Sequence, residues 1–279
     1  MVDVRGVSQS GAMRPEGTVG LAGGVHASGV QVQLVDHRTR GVVSGGLSEA
    51  LSLRLAACVD ARKPWFDAPG ARAALRDYKL PALFVDGADL CRTAPPWKGI
   101  APGQPVPCLL GAARLSRTGK IERRDFVDLS GRDPSRAFAR ALIEACGERG
   151  PVIAYGAAPL KERLQELAAR IPPLSRTLHC IAQRVVDLLP IAQAHYCHPA
   201  LAGGWGLAVL VPTIWPELNY PANRCGGLDD TALYVEALDA PTPGRKAELR
   251  HILLDRRAGD VLAIIKLWQF FAGRADLVV

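Results

Sequence analysis

Asp86 closes a short apolar run, Leu83-Phe84-Val85, within the stretch Pro81–Leu90 that reads PALFVDGADL. Such a run suits a buried strand. A carboxylate at its end is held rigidly, while the loop that follows leaves room for a ligand. Metal coordination is open to an acid so placed, provided that other groups converge on it. A second acid, Asp260, falls at helical spacing with Ile264, Leu267, Trp268 and Phe271, so it shares a face with side chains that belong in a core. Burying an unpaired carboxylate is costly, and such a residue normally has a metal, a cation or hydrogen-bond donors beside it, unless it lies at the edge of the core. Arg256, four residues earlier on that face, offers a cation. An exposed pair of this kind contributes about 0.2–0.5 kcal/mol, and it neutralises the acid without any metal.

Other groups with chemical potential carry weaker patterns. His179-Cys180 and His195-Tyr196-Cys197-His198 contain soft zinc ligands, at a spacing that fits no standard finger. Gly203-Gly204-Trp205-Gly206 is glycine-rich, yet it is neither a Walker loop nor a dinucleotide fingerprint, and it reads as a tight turn entering a helix. Trp205, Trp215 and Tyr220 offer aromatic faces for stacking bases, although aromatics at such spacing more often line a core or its rim. No G-x-S-x-G, Ser/His/Asp order or reactive-cysteine signature is present.

The elements that must position these residues follow from period and punctuation. Residues 1–24 show no sustained period, and Val25–Val43 alternates well enough for a small hairpin turning at His37–Gly41. Leu47–Arg62 and Ala68–Tyr78 read as short helices separated by Pro64. From Lys79 the expected order is a strand ending at Asp86, a hairpin of Val106–Leu115 and Ile121–Leu129 about the turn Arg117–Lys120, and a helix after Asp133-Pro134. Then come a buried strand at Pro151–Tyr155, helices over Leu160–Arg170 and Leu178–Tyr196, one near Leu228–Leu238, and a long terminal helix from Arg245 to Ala272. An antiparallel opening followed by a crossover to a parallel strand is the order of a ribonuclease H-like α/β fold.

The totals describe an ordinary globular chain of 279 residues, 48% hydrophobic and 22% charged. A net charge of +7 permits an acidic partner, but no dense basic run is present, and Arg114 to Arg124 form only a loose cluster. Seven scattered cysteines without a C-x-x-C pair or a leader-like start read as reduced thiols in the cytosol. No apolar run approaches the roughly 20 residues that span a bilayer.

Several stretches carry a resemblance: FVDGA, GRDPSRAFARALIEA, PVIAYGAAPLKERLQELA, RVVDLLPIAQAHYCHP, GGWGLAVLVPTIWPELNY and DRRAGDVLAIIKLW. From Lys79 onward they resemble, in order, an uncharacterised bacterial family labelled a domain of unknown function, whose core is similar to DEDD-type 3′–5′ exonucleases. That family often carries a RecB-like nuclease region ahead of this domain. Here 78 residues precede Lys79, too few for that unit, so a form without it is expected.

The resemblance implies four carboxylates holding two divalent metals, Mg²⁺ or Mn²⁺, that activate water and stabilise the leaving oxygen. Asp86 matches the aspartate of the D-x-E motif, but Ala88 stands where the glutamate belongs. Asp89 is one step further, on the opposite face of a regular strand unless a bulge intervenes. The family's Y-N-x-x-F-E becomes Tyr155-Gly156-Ala157-Ala158-Pro159-Leu160, which loses the asparagine at Gly156 and the acid at Leu160. Its Y-C-x-x-D-T becomes Arg256-Arg257-Ala258-Gly259-Asp260-Val261, in which Arg256 replaces the tyrosine and Asp260 survives. Asp187 matches a further family acid of unassigned role.

The expectation is therefore a degenerate, DEDD exonuclease-like domain over 79–279 with a small N-terminal segment over 1–78. It needs no cofactor and binds DNA or RNA, or serves as an accessory to a nuclease or other protein. The rival is an active nuclease in which Asp86, Asp187, Asp260 and Asp89 form a rearranged metal site. A third reading is a structural partner of another nuclease. No membrane association is expected.

Overall fold

The computed structural model describes residues 25–27, 30–36, 49–95, 97–218, 220 and 230–277. Strands β1 (Val25–Ala27) and β2 (Val30–Asp36) pair as an antiparallel hairpin. Both strands precede the turn expected at His37–Gly41, which lies outside the described residues. Helix α1 (Glu49–Ala61), the short strand β3 (Trp65–Phe66) and helix α2 (Ala68–Leu75) complete the segment before Lys79.

Strand β4 (Ala82–Arg92) does not stop at Asp86; it runs on for six more residues, and all but the last of its positions are buried. The neighbours explain the extra length, because two different strands flank it on one side. Strand β8 (Val152–Ala154) pairs in parallel with Leu83 and Phe84, and β2 pairs antiparallel with Ala88 to Arg92. On the other side lies β5 (Val106–Leu115), followed by β6 (Ile121–Arg123) and β7 (Phe126–Val127).

Helix α3 (Ser135–Cys146) crosses from the hairpin to β8, and α4 (Ala158–Arg170) and α5 (Ser175–Arg184) follow. The single helix expected over Leu178–Tyr196 is broken in two. Strand β9 (Val185–Asp187) pairs in parallel with β8, and α6 (Leu188–His195) begins after it. The β-branched pair Val185-Val186 favours the pleated edge, while the Asp187 side chain caps the new helix by accepting from the Leu189 N–H at 2.9 Å. Strand β10 (Tyr196–Cys197) pairs with β3, and α7 (Leu207–Ile214) and α8 (Asp230–Leu238) lead to α9 (Pro243–Ala272). Thr242 and Pro243 start α9, and Gly273, at φ +64°, ends it in the left-handed conformation that glycine adopts without strain.

The result is a mixed sheet with helices on both faces. Leu83, Val85, Leu110 and Ala112 pack against α3, α4 and α5. Ala82, Phe84, Ala113 and Leu115 face α2, α6, α7 and the C-terminal half of α9. Ala88, Leu90 and Leu109 meet α8 and the N-terminal half of α9. The sheet and this core both extend across Lys79, since β2 joins β4, and Ala71 and Leu75 of α2 pack in the same cluster as Trp268 and Phe271. Among the described residues no helix is long and apolar enough to cross a membrane.

Candidate functional site

Asp86 and Asp260 converge, on a cation. Asp86 is 6% exposed, and Asp260 and Arg257 are fully buried. Arg257 donates from Nη1 to Asp86 Oδ2 at 2.6 Å, and the same nitrogen lies 3.5 Å from Asp260 Oδ2. Its Nη2 donates to Asp230, an acid in the first turn of α8. The Tyr220 hydroxyl donates to Asp260 Oδ1 at 2.5 Å. The cation at this centre is therefore Arg257, one position beyond the arginine singled out from the helical spacing. Arg256 points to Asp230 instead, at 2.9 Å. A residue at i+3 meets Asp260 as readily as one at i+4, and spacing alone does not separate the two.

A glycine on the neighbouring strand makes this approach possible. Gly111 of β5 stands opposite Asp86 in register. A Cβ built there would fall 2.9 Å from the Arg257 Cβ and 3.0 Å from its carbonyl oxygen. A bare glycine thus lets the backbone of α9 come down on the sheet where the guanidinium must reach Asp86.

The remaining predicted residues separate from this centre. Asp187 sits at the end of β9 and accepts from the backbone N–H groups of Gly156 and Ala157, both at 2.8 Å, as well as from Leu189. Its carboxylate ties the turn after β8 to the start of α6. Gly156, at φ +69°, supplies the left-handed residue that this turn needs. Leu160 and Asp86 line one small cavity of about 10 Å³, room for at most about one water.

Ala88 is buried among Leu90, Leu109 and Tyr234. The pairing of β4 with β5 does shift between Ala88 and Asp89, but the extra residue is Cys108 on β5, so β4 keeps its alternation. Asp89 consequently faces α4, where the Arg163 Nε lies 3.8 Å from its Oδ2. Arg163 also donates to the Pro105 carbonyl at 2.9 Å, anchoring the connection between β4 and β5. Asp89 and Asp86 thus serve two ion pairs on opposite faces of the sheet.

These residues do not fit a two-metal cage. A pair of Mg²⁺ or Mn²⁺ ions needs several carboxylate oxygens turned toward a shared space free of other cations. Here a guanidinium lies between Asp86 and Asp260 and would repel any ion placed there. Among the described residues, no group of three or more His, Cys, Asp and Glu side chains is disposed to hold a metal ion.

The soft ligands are committed elsewhere: His195 Nδ1 to Asp67 at 2.9 Å, His198 Nδ1 to the Ala200 N–H at 3.1 Å, and His179 Nδ1 to the Ser175 carbonyl at 2.9 Å. The six described cysteines are free thiols, and burial pushes those of Cys146 and Cys197 up to about 12, far from a reactive thiolate at neutral pH. Trp205 is core, and Trp215 packs edge-on against Phe270 with ring centroids 5.7 Å apart.

Sequence reasoning missed Asp230, Arg257 and Gly111. For Arg257 the signal was present, as the neighbour of Arg256 in the same motif. Asp230 and Gly111 carry no local pattern and are found only through what packs against them.

A family model described as a domain of unknown function (DUF2779) matches residues 90–206, less than half of the chain. The matched stretch contains Gly156, Leu160 and Asp187 but stops short of Asp86 on one side and of Asp230, Arg257 and Asp260 on the other. No curated protein and no solved structure matches.

Proposed function

We propose that this chain is a catalytically silent relative of DEDD exonucleases, with a ribonuclease H-like core, that acts by binding nucleic acid rather than cleaving it. The observation that carries the reading is the contact of Arg257 with Asp86 at 2.6 Å and its approach to Asp260 at 3.5 Å. Asp86 and Asp260 come together as a carboxylate site of that family requires, yet a fixed side-chain charge stands between them.

The order of the sheet supports the fold assignment. Three antiparallel strands, β6, β5 and β4, continue into β8 and β9, which run parallel to β4, with α3 and then α4 and α5 as the crossovers. A guanidinium cannot activate water as a bound metal does, because it has no open coordination position and does not lose a proton at neutral pH.

The test is an assay of the purified chain with labelled single- and double-stranded DNA and RNA in Mg²⁺ and in Mn²⁺. The expected result is no cleavage above a metal-free control, and no difference between wild type and Asp86→Asn. Metal-dependent cleavage that disappears in Asp86→Asn would instead establish the active-nuclease reading.

A further inference from the structure

We infer that the end of the molecule remote from Asp86 carries a binding groove for a single-stranded nucleic acid, distinct from the Arg257 centre. This rests on the nucleic-acid-binding reading above and assigns it a surface. Two clefts, of about 430 and 630 Å³, meet at Lys79, Leu80 and Arg117. The first extends over Arg72, Arg76 and Tyr78 to Arg274, and the second over Arg114 to Arg149. Among the described residues that line them, Glu148 is the one acid. The distance from the Arg257 centre follows from two elements. Leu80 precedes Asp86 by about 20 Å of extended chain, and Ala272, which lines the first cleft, lies about 22 Å along α9 from Arg257.

Some of these cations have structural work. Arg114 donates to the Ala145 and Cys146 carbonyls at the end of α3, Arg274 pairs with Asp276, and Arg72 packs against Gly273 at the end of α9. The exposed Arg76 lies 3.8 Å from Asp77. Lys79, Arg117 and Arg149 differ. They are exposed, and among the described residues none has a carboxylate within ion-pair distance; Arg117 uses only its Nε, on the Leu80 carbonyl at 3.0 Å.

The other groups in the clefts are also suited to a nucleic acid strand. Tyr78 is 36% exposed beside Lys79. Positive charges gathered along two adjoining clefts suit a chain of phosphates, and arginine forks bind phosphate oxygens in pairs. An exposed aromatic ring among them favours bases free to stack, hence a single strand, over a run of Asp and Glu side chains, which carry no ring.

The test is fluorescence anisotropy of the full chain with a labelled twenty-nucleotide oligothymidylate in EDTA, across a salt series. The charge reversals Lys79→Glu and Arg149→Glu, both exposed, are combined and compared with Arg132→Glu combined with Arg250→Glu, which makes the same charge change away from the clefts. The groove variant is expected to bind about tenfold or more weakly, with the log–log salt slope smaller by about 1.4 for two lost phosphate contacts. The control variant is expected to bind close to wild type. Thermal melting confirms that each variant is folded.

Tyr78→Ala is expected to weaken binding about fivefold or more with the slope unchanged, and an unchanged affinity would overturn the stacking role. Wild-type binding that survives both groove reversals overturns the groove while leaving the nucleic-acid reading intact. No oligonucleotide binding by wild type, with binding of polyglutamate instead, overturns both and assigns the clefts to an acidic protein.

Discussion

Arg257 decides what the acidic centre can do. It is a buried cation in contact with Asp86 and Asp230 and close to Asp260. Desolvating such a group is expensive, and the geometry offsets this only while its partners remain. Removing one side of a buried ion pair costs about 3–5 kcal/mol, because the charge left behind has neither water nor a counter-ion. Arg257→Ala leaves three acids facing the space that the guanidinium filled. Its thermal midpoint is expected to fall well below that of wild type and to be raised by millimolar Mn²⁺, which should leave the wild-type midpoint unchanged. Arg257→Lys keeps the charge but not the fork, so it should melt between the two and respond little to Mn²⁺. An alanine variant indifferent to Mn²⁺ would mean that these carboxylates do not share a site.

At the scale of elements, the centre exists because α9 lies close against β4 and β5. Gly111 sets that distance, since any side chain there meets the backbone oxygen of Arg257 rather than a flexible tip. Gly111→Ala should therefore push the helix off the sheet and cost about 1–3 kcal/mol, the usual range for overpacking, read as a lower denaturant midpoint with little change in slope. The same variant should loosen the grip on Asp86, so that its destabilisation and that of Arg257→Ala combine to less than their sum. On the other side of the sheet, Asp187 shows how an acid expected for chemistry becomes an element joint. Three backbone N–H groups converge on it, and they bind β8, β9 and two helix starts together.

At the scale of the whole molecule, the residues before Lys79 and those after it are stitched together. Asp67 accepts from the Gly70 N–H at 3.0 Å at the start of α2, and meets His195 Nδ1 at 2.9 Å at the end of α6. The Gly70 hydrogen bond, and after it the one from His195, hold its carboxyl below the ordinary value of 3.8. A lowered carboxylate value stabilises the folded state fully above the unfolded value, and that stabilisation is lost as pH falls through the folded one. Asp67→Asn should therefore melt earlier than wild type at pH 7, with the gap narrowing only below about pH 4. A gap that persists unchanged at pH 2 would show that the charge plays no part.

Much of this architecture was legible in the chain. Three-and-four spacing over Leu249 to Phe271, a Thr-Pro start and a glycine stop define α9 in the sequence itself, because helix periodicity and capping are local. The Arg117–Lys120 turn likewise announces its hairpin. Strand β9 was hidden, since its three residues sit between two helical patterns and extend only because β8 offers a parallel edge.

For the site, the sequence by itself determined that Asp86 and Asp260 are acids in apolar settings, and that Ala88, Gly156 and Leu160 cannot bind metal. Only the tertiary structure decided that Arg257 rather than Arg256 answers those acids, that Asp230 joins them, and that Asp187 and Asp89 turn elsewhere. It also gathered Lys79, Arg117 and Arg149, from three separated stretches, into one basic groove. The reason is physical: residue type and period fix which side chains are buried, but a charge in a core is defined by its partner. Partners 171 residues apart, as Asp86 and Arg257 are, meet only when sheet and helix pack.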